Sequence, residues 1–172
     1  MIDNKNIKIL LVDDEPIIVI TVQQMLSKMG YLNIEAAYTE QEAKSILENS
    51  KFDLAILDIN LGNGDEGIGL AKICLEHHIP FFFLTSYSDK TTLDKAFETS
   101  PGAYIFKPFL EKDLYSAIAL TLSKMALNEQ PIIFKDKGSF VKLCQVDIVY
   151  LKADNLYVEL YTKAQTHLLH AS

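Results

Sequence analysis

Five short runs in this chain are apolar at nearly every position: Ile7–Val12, Asn33–Ala37, Leu54–Asp58, Pro80–Thr85 and Ala103–Phe106. A strand with one face in water alternates apolar and polar residues. A run that does not alternate reads as a strand covered on both faces. Between the runs lie stretches with helical period. Ile18, Val22, Met25, Leu26 and Met29 fall on one face of a helix, which Pro16 suits at its start and Gly30 at its end. Thr39 followed by Glu42 reads as a capping box that opens the next helix. Gly67–His77 and Thr91–Thr99 read as the third and fourth helices. Leu110, Leu114, Ala117, Ile118, Thr121 and Met125 mark the fifth.

Five strand-then-helix units in succession imply a parallel, doubly wound α/β sheet with helices on both faces. Right-handed crossovers leave few strand orders, and with five strands the flavodoxin-like order 2-1-3-4-5 is expected. In that order strands 1 and 3 are neighbours, and ligands bind beyond their carboxyl ends. Polar residues stand at those ends. Asp13 and Asp14 follow the first run, Asp58 closes the third, Thr85 closes the fourth, and Lys107-Pro108 follows the fifth. Two carboxylates about 4 Å apart repel by about 4 kcal/mol at an effective dielectric near 20. Three at one place therefore call for a proton or a cation, and oxygen-only ligands in a loose cluster suit Mg2+. An Asp beside Mg2+ can attack phosphorus and give an acyl phosphate. Taken singly, Asp14 is equally readable as a helix cap and Asp58 as the start of a turn.

The remaining numbers bound the partners. The chain has 172 residues, 49% hydrophobic and 23% charged, with a net charge of -7. It is no polyanion binder by bulk attraction. The charge is uneven: the segment from Pro131 onward carries a net +1 and the rest a net -8, which suggests two units with different partners. Every basic side chain is Lys, so a phosphate contact would be a point charge and not a bidentate fork. Cys74 and Cys144 lie in apolar stretches far apart and read as reduced thiols. No run is long enough to span a membrane, and the start shows no signal-peptide pattern, so a cytoplasmic location is expected.

With these residues in place, positions 5–127 resemble the receiver domain of bacterial response regulators. The resemblance is carried by Leu-Val-Asp-Asp-Glu-Pro at 11–16, Leu-Ala-Ile-Leu-Asp-Ile-Asn-Leu at 54–61, Phe-Leu-Thr-Ser at 83–86 and Ala-Tyr-Ile-Phe-Lys-Pro-Phe at 103–109. It implies that Asp58 accepts a phosphoryl group from a histidine kinase. It implies that Asp13 and Asp14, with Asp58 and the backbone carbonyl of Asn60, hold Mg2+. Thr85 and Tyr104 would form the switch pair, Lys107 would contact the phosphoryl group, and the peptide before Pro108 would be cis. Phosphorylation would then change the surface of the fourth helix, fifth strand and fifth helix, where partner or self contacts, including a homodimer, are made. The glycine-rich segment Leu61–Gly69 departs from the family pattern and predicts a more mobile loop after Asp58.

After a short linker at 128–131, with Pro131, the pattern changes. Ile132–Lys135, Ser139–Leu143, Ile148–Lys152, Tyr157–Tyr161 and His167–Leu169 read as antiparallel strands with turns between them. Residues 132–172 resemble the beginning of a LytTR-type DNA-binding domain, through Ile-Phe-Lys-Asp-Lys-Gly at 133–138 and Val-Asp-Ile-Val-Tyr-Leu-Lys-Ala-Asp-Asn-Leu-Tyr-Val at 146–158. Members of that family read DNA with loops, and the resemblance places Asn155 and Tyr157 in one of them. Ser172 falls about halfway along such a domain, so the expectation is a partial domain, poorly stable alone and weak on DNA. His167 and His170 read as strand residues, and His77-His78 as a helix end.

The expected role is a non-enzymatic switch. Two other readings stand beside it. One is a Mg2+-dependent phosphatase of the haloacid-dehalogenase type, which wants a second Asp where Asn60 stands. The other is a receiver whose tail binds protein.

Overall fold

The fold was obtained as a computed structural model, which describes residues 6–62, 64–86, 90–128, 131–136, 139–144, 148–154, 157–162 and 166–170. The chain divides into two compact units, Met1–Leu122 and Ser123–Ser172.

In the first unit strands and helices alternate: β1 (Lys8–Val12), α1 (Pro16–Lys28), β2 (Asn33–Ala37), α2 (Glu40–Asn49), β3 (Leu54–Leu57), α3 (Glu66–Glu76), β4 (Phe81–Thr85), α4 (Lys90–Glu98) and β5 (Tyr104–Phe106). α5 (Glu111–Asn128) follows and runs past the division between the units. The five strands form one parallel sheet in the order β2-β1-β3-β4-β5, the expected topology.

The unbroken apolar runs have a direct structural cause. Successive side chains of a strand point to opposite faces, and both faces here are covered. Ile9, Leu11, Leu54, Ile56, Phe82 and Leu84 pack with Val19, Val22 and Leu26 of α1 and Leu114, Ala117 and Ile118 of α5. Their neighbours Leu10, Val12, Ala55, Leu57, Phe81 and Phe83 pack on the opposite side with Ala43 and Leu47 of α2, Leu70, Ala71 and Cys74 of α3, and Ala96 of α4. Each fully buried Leu, Ile or Phe contributes about 1.5–3 kcal/mol, so these two cores hold the strand ends in register.

Local signals are realised with small shifts. α1 has Pro at its first position, and Gly30 beyond its end has φ 89, the left-handed conformation that glycine adopts most easily. Thr39 caps α2 by accepting from the Glu42 N–H at 3.2 Å. The Glu42 carboxylate returns to the N–H of Tyr38, one residue before the cap, so the capping box is displaced by one position. Asp14 does not cap α1. The N-cap is Glu15, with no side-chain cap bond.

Cys74 is fully buried, and burial pushes its thiol up to about 12. It is expected to resist alkylation in the folded protein and to react only on unfolding. Iodoacetamide labelling read by peptide mass at Cys74, with and without urea, checks this.

The second unit contains β6 (Pro131–Asp136), β7 (Ser139–Cys144), β8 (Ile148–Asp154), β9 (Tyr157–Thr162) and β10 (Thr166–His170). Among the described residues its strands pair antiparallel: β6 with β7, and β9 with both β8 and β10. Pro131, expected in the linker, is the first residue of β6 and stands opposite Cys144. Leu160 and His167 are buried.

Candidate functional site

Backbone hydrogen bonds set the site. Val12 stands opposite Leu57 in the β1–β3 ladder, so Asp13 and Asp58 are the next residues out on neighbouring strands. The Asp58 N–H donates to the Val12 carbonyl at 2.8 Å, and the Asp13 N–H donates to the Ala37 carbonyl at 3.1 Å. Thr85 stands opposite Phe106, and the Lys107 N–H donates to the Thr85 carbonyl at 2.9 Å. The peptide between Lys107 and Pro108 is cis, as the resemblance implied. Four strand ends thus deliver their polar residues to one edge of the sheet.

There the Lys107 Nζ lies 2.6 Å from Asp58 Oδ2, 2.7 Å from Asp13 Oδ2 and 3.2 Å from Glu15 Oε1. The Lys107 side chain is only 6% exposed. Directed hydrogen bonds run to Asp58 and Glu15. The contact with Asp13 is an ion pair at an angle that leaves its buried Oδ2 with no hydrogen bond. The other oxygens are held by backbone: Asp13 Oδ1 accepts from the Glu15 N–H at 3.0 Å, and Asp58 Oδ1 from the Asn60 N–H at 3.2 Å. Asp14 is exposed at the mouth, and carboxylate oxygens of Asp13, Asp14 and Asp58 lie within 4.8 Å of one another. Among the described residues this is the one cluster of that kind.

The charges are unbalanced. Burial pushes Asp13 up to about 6; contact with Lys107 and the Glu15 N–H pull it back, and the Asp58 charge pushes it further. Burial also works against the charge on Lys107, yet its close contacts with the Asp13 and Asp58 carboxylates outweigh that and raise it above the ordinary lysine range. An ion pair ordinarily lowers a carboxylate. Here one ammonium is shared among three carboxylates, and burial prevails at Asp13.

The donor set fits Mg2+. It is all oxygen, it carries excess negative charge, and it includes a buried carboxylate oxygen without a hydrogen bond. Asp13, Asp14 and Asp58 would hold the ion. A proton on Asp13 competes with it, so Mg2+ affinity is expected to fall as pH drops below about 6, by about tenfold per pH unit. In the metal-free protein the sign is opposite. Asp13 binds its proton more tightly folded than unfolded. Its contribution to stability is complete below the unfolded value of 3.8 and is lost as pH rises through about 6. Calorimetric Mg2+ titrations at pH 5 and pH 7.5, with urea denaturation in chelator at the same pH values, check both signs.

Asn60 sits two residues beyond Asp58. Its Oδ1 accepts from the N–H groups of Gly62 at 2.9 Å and Gly64 at 3.3 Å, and Glu66 Oε2 accepts from the Leu61 N–H at 3.2 Å. The described part of this glycine-rich loop is therefore tied at several points. Thr85 is fully buried at the end of β4. Tyr104 is half-buried, with its ring centroid 5.8 Å from those of Phe83 and Phe97 and 5.1 Å from that of Phe106. Of the two tail residues, Asn155 lies outside the described residues. Tyr157 is the first residue of β9, opposite Asp154, where the strand run Tyr157–Tyr161 was expected to begin.

Sequence reasoning missed two participants. Glu15 is the third carboxylate on Lys107, and its place in the Asp-Asp-Glu run was the available signal. Gly67, read only as a helix start, lies against the backbone of Asp58: a Cβ built there would fall 1.8 Å from the Asp58 carbonyl oxygen.

Residues 9–119 match the response regulator receiver domain. The chain is 35% identical over 121 residues to "Transcriptional regulatory protein YvrH" of Bacillus subtilis, covering 70% of this chain and 51% of that protein. It is 31% identical over 110 residues to "Chemotaxis protein CheY-3" of Vibrio cholerae, covering 62% of this chain and 84% of that one. Among solved structures, the CheY-like receiver domain from Methanospirillum hungatei superposes with a TM-score of 0.63 at 30% identity, over 69% of this chain and 95% of its own. The chain thus spans about half the length of YvrH and most of the length of the shorter relatives. With its five-stranded sheet and its acidic pocket, the chain belongs to the response regulator receiver domain family.

Proposed function

We propose that this chain is the phosphoacceptor of a two-component relay, taking a phosphoryl group on Asp58 from a histidine kinase and passing the change to a transcriptional output. The observation that carries the reading is Lys107, buried and 2.6 Å from Asp58 Oδ2 within a three-carboxylate cluster. An oxygen of Asp58 attacks phosphorus and forms the new P–O bond. The bond from phosphorus to the donor histidine nitrogen breaks, the nitrogen keeps the electron pair, and the product is an acyl phosphate. Asp13, Asp14, Asp58 and the Asn60 carbonyl would hold Mg2+, which would supply charge neutralisation for the phosphoryl group. Lys107 orients the group by contacting one of its oxygens, and Thr85 donates to another. Tyr104 then turns inward, which biases an existing equilibrium by a few kcal/mol and alters the α4–β5–α5 surface, where a homodimer would form.

The reading assigns residues 5–127 to the receiver and 132–172 to part of a LytTR-type DNA-binding domain, with Asn155 and Tyr157 near the DNA. The name of YvrH supports a transcriptional output. The antiparallel strands of residues 131–170 are compatible with it. A switch and not a phosphatase is favoured because Asn60 offers an amide already bonded to Gly62 and Gly64, and so cannot act as acid or base. Among the described residues no helix is long and apolar enough to cross a membrane.

The test is transfer from a phosphorylated histidine kinase, followed on phosphate-affinity gels with Mg2+ and with chelator. A Mg2+-dependent shift with almost no turnover of p-nitrophenyl phosphate supports the switch. Steady turnover would favour the phosphatase. Gel shifts of DNA with the complete gene product, across salt concentrations, test the output.

A further inference from the structure

Glu15 has no part in the phosphotransfer just described, yet it holds the pocket's ammonium. Its Oε1 accepts a directed hydrogen bond from Lys107 Nζ at 3.2 Å, beside the shorter bond to Asp58 at 2.6 Å. The two acceptors differ in surroundings. The Asp58 side chain is 6% exposed and the Glu15 side chain 53% exposed. Carboxylate oxygens already stand about the Lys107 Nζ at 2.6, 2.7 and 3.2 Å, so a phosphoryl anion that comes into contact with it competes with one of these three. Releasing Asp58 or Asp13 strands a buried charge, which is strongly unfavourable. Releasing Glu15 returns a half-exposed carboxylate to water.

We propose that Glu15 is a positioning residue that keeps one Lys107 N–H turned to the pocket mouth and yields it to the incoming phosphoryl oxygen. The inference rests on the phosphoacceptor reading above. Glu15 makes and breaks no bond to phosphorus. Asp58 still supplies the attacking electron pair, and the donor nitrogen still leaves with its own. One hydrogen bond of Lys107 is exchanged for another, and water takes up the freed carboxylate. Glu15 therefore competes with the phosphoryl group for Lys107, and a half-exposed ion pair of this kind changes affinity by a factor of about five.

The experiment uses beryllofluoride as the phosphoryl probe, titrated by 19F NMR into the Mg2+-loaded full chain. Glu15→Gln removes the charge. Glu15→Asp keeps the charge but withdraws it by one methylene from Lys107. Both variants are expected to bind beryllofluoride about fivefold more tightly than the wild type. The 15N ammonium resonance of Lys107, which a merely structural residue would leave in place, is expected to shift in both variants before the probe is added. Tighter binding in Glu15→Gln alone would reveal a long-range charge effect and overturn the contact. Unchanged affinity in both would overturn the proposal outright. Failure of the wild type to bind, or equal binding by Asp58→Asn, would instead remove the phosphoacceptor reading and the inference with it.

Discussion

Asp58→Asn is expected to abolish covalent labelling by acetyl phosphate while leaving the fold intact. The substitution removes the one oxygen nucleophile that Lys107 addresses at 2.6 Å. An amide keeps its one oxygen as an acceptor for the Asn60 N–H, and Lys107 keeps Asp13 and Glu15 as partners. The substitution also takes one negative charge out of a buried set that holds too many. Unfolding is therefore no explanation for a loss of label. Intact mass after incubation with acetyl phosphate and Mg2+, beside a thermal melt of the same sample, reads both outcomes. A variant that melts like the wild type and still gains a phosphoryl group would show that Asp58 is not the acceptor.

Gly67→Ala carries the second large effect, and two principles disagree about its sign. Alanine favours a helix interior over glycine by about 1 kcal/mol, which would stabilise α3. Packing points the other way. A Cβ at position 67 would fall 1.8 Å from the Asp58 carbonyl oxygen, 2.7 Å from Ile59 Cα and 2.8 Å from the Asp58 carbonyl carbon. All three are backbone atoms and cannot swing aside as a side chain would. The Gly67 N–H also donates to the Ile59 carbonyl at 2.8 Å, which pins the helix start to the strand end. Overpacking of this kind outweighs propensity, and the variant is expected to lose about 3 kcal/mol. Because the clash is with the backbone of Asp58, phosphorylation should slow as well. Urea denaturation decides the sign: a stability equal to or above that of the wild type would mean that the helix moves away freely.

Most of the sheet and the pocket was legible because burial on two faces leaves a plain mark. Phe81, Phe82, Phe83 and Leu84 cannot all be apolar in a strand with a wet side, and the two cores of the first unit show why. Strand order followed from the handedness of crossovers, and the order brought Asp13 and Asp58 together. What stayed illegible depends on distances across the fold. Glu15 reads as a helix-start acid until Lys107, ninety-two residues away, is found against it. Gly67 reads as one glycine among several, since nothing local announces the carbonyl of Asp58 above it. Pro131 reads as a linker residue because proline marks a break in many sequences, yet at a strand start it needs no N–H partner.

The central claim is that Asp58 becomes an acyl phosphate with Mg2+ in the acidic pocket. Borohydride reduction after acetyl phosphate treatment, followed by peptide sequencing, tests it directly, because reduction turns an aspartyl phosphate into homoserine. Homoserine at position 58 in the Mg2+ sample and its absence in chelator is the expected result. Homoserine at another aspartate, or at position 58 regardless of metal, would contradict the account.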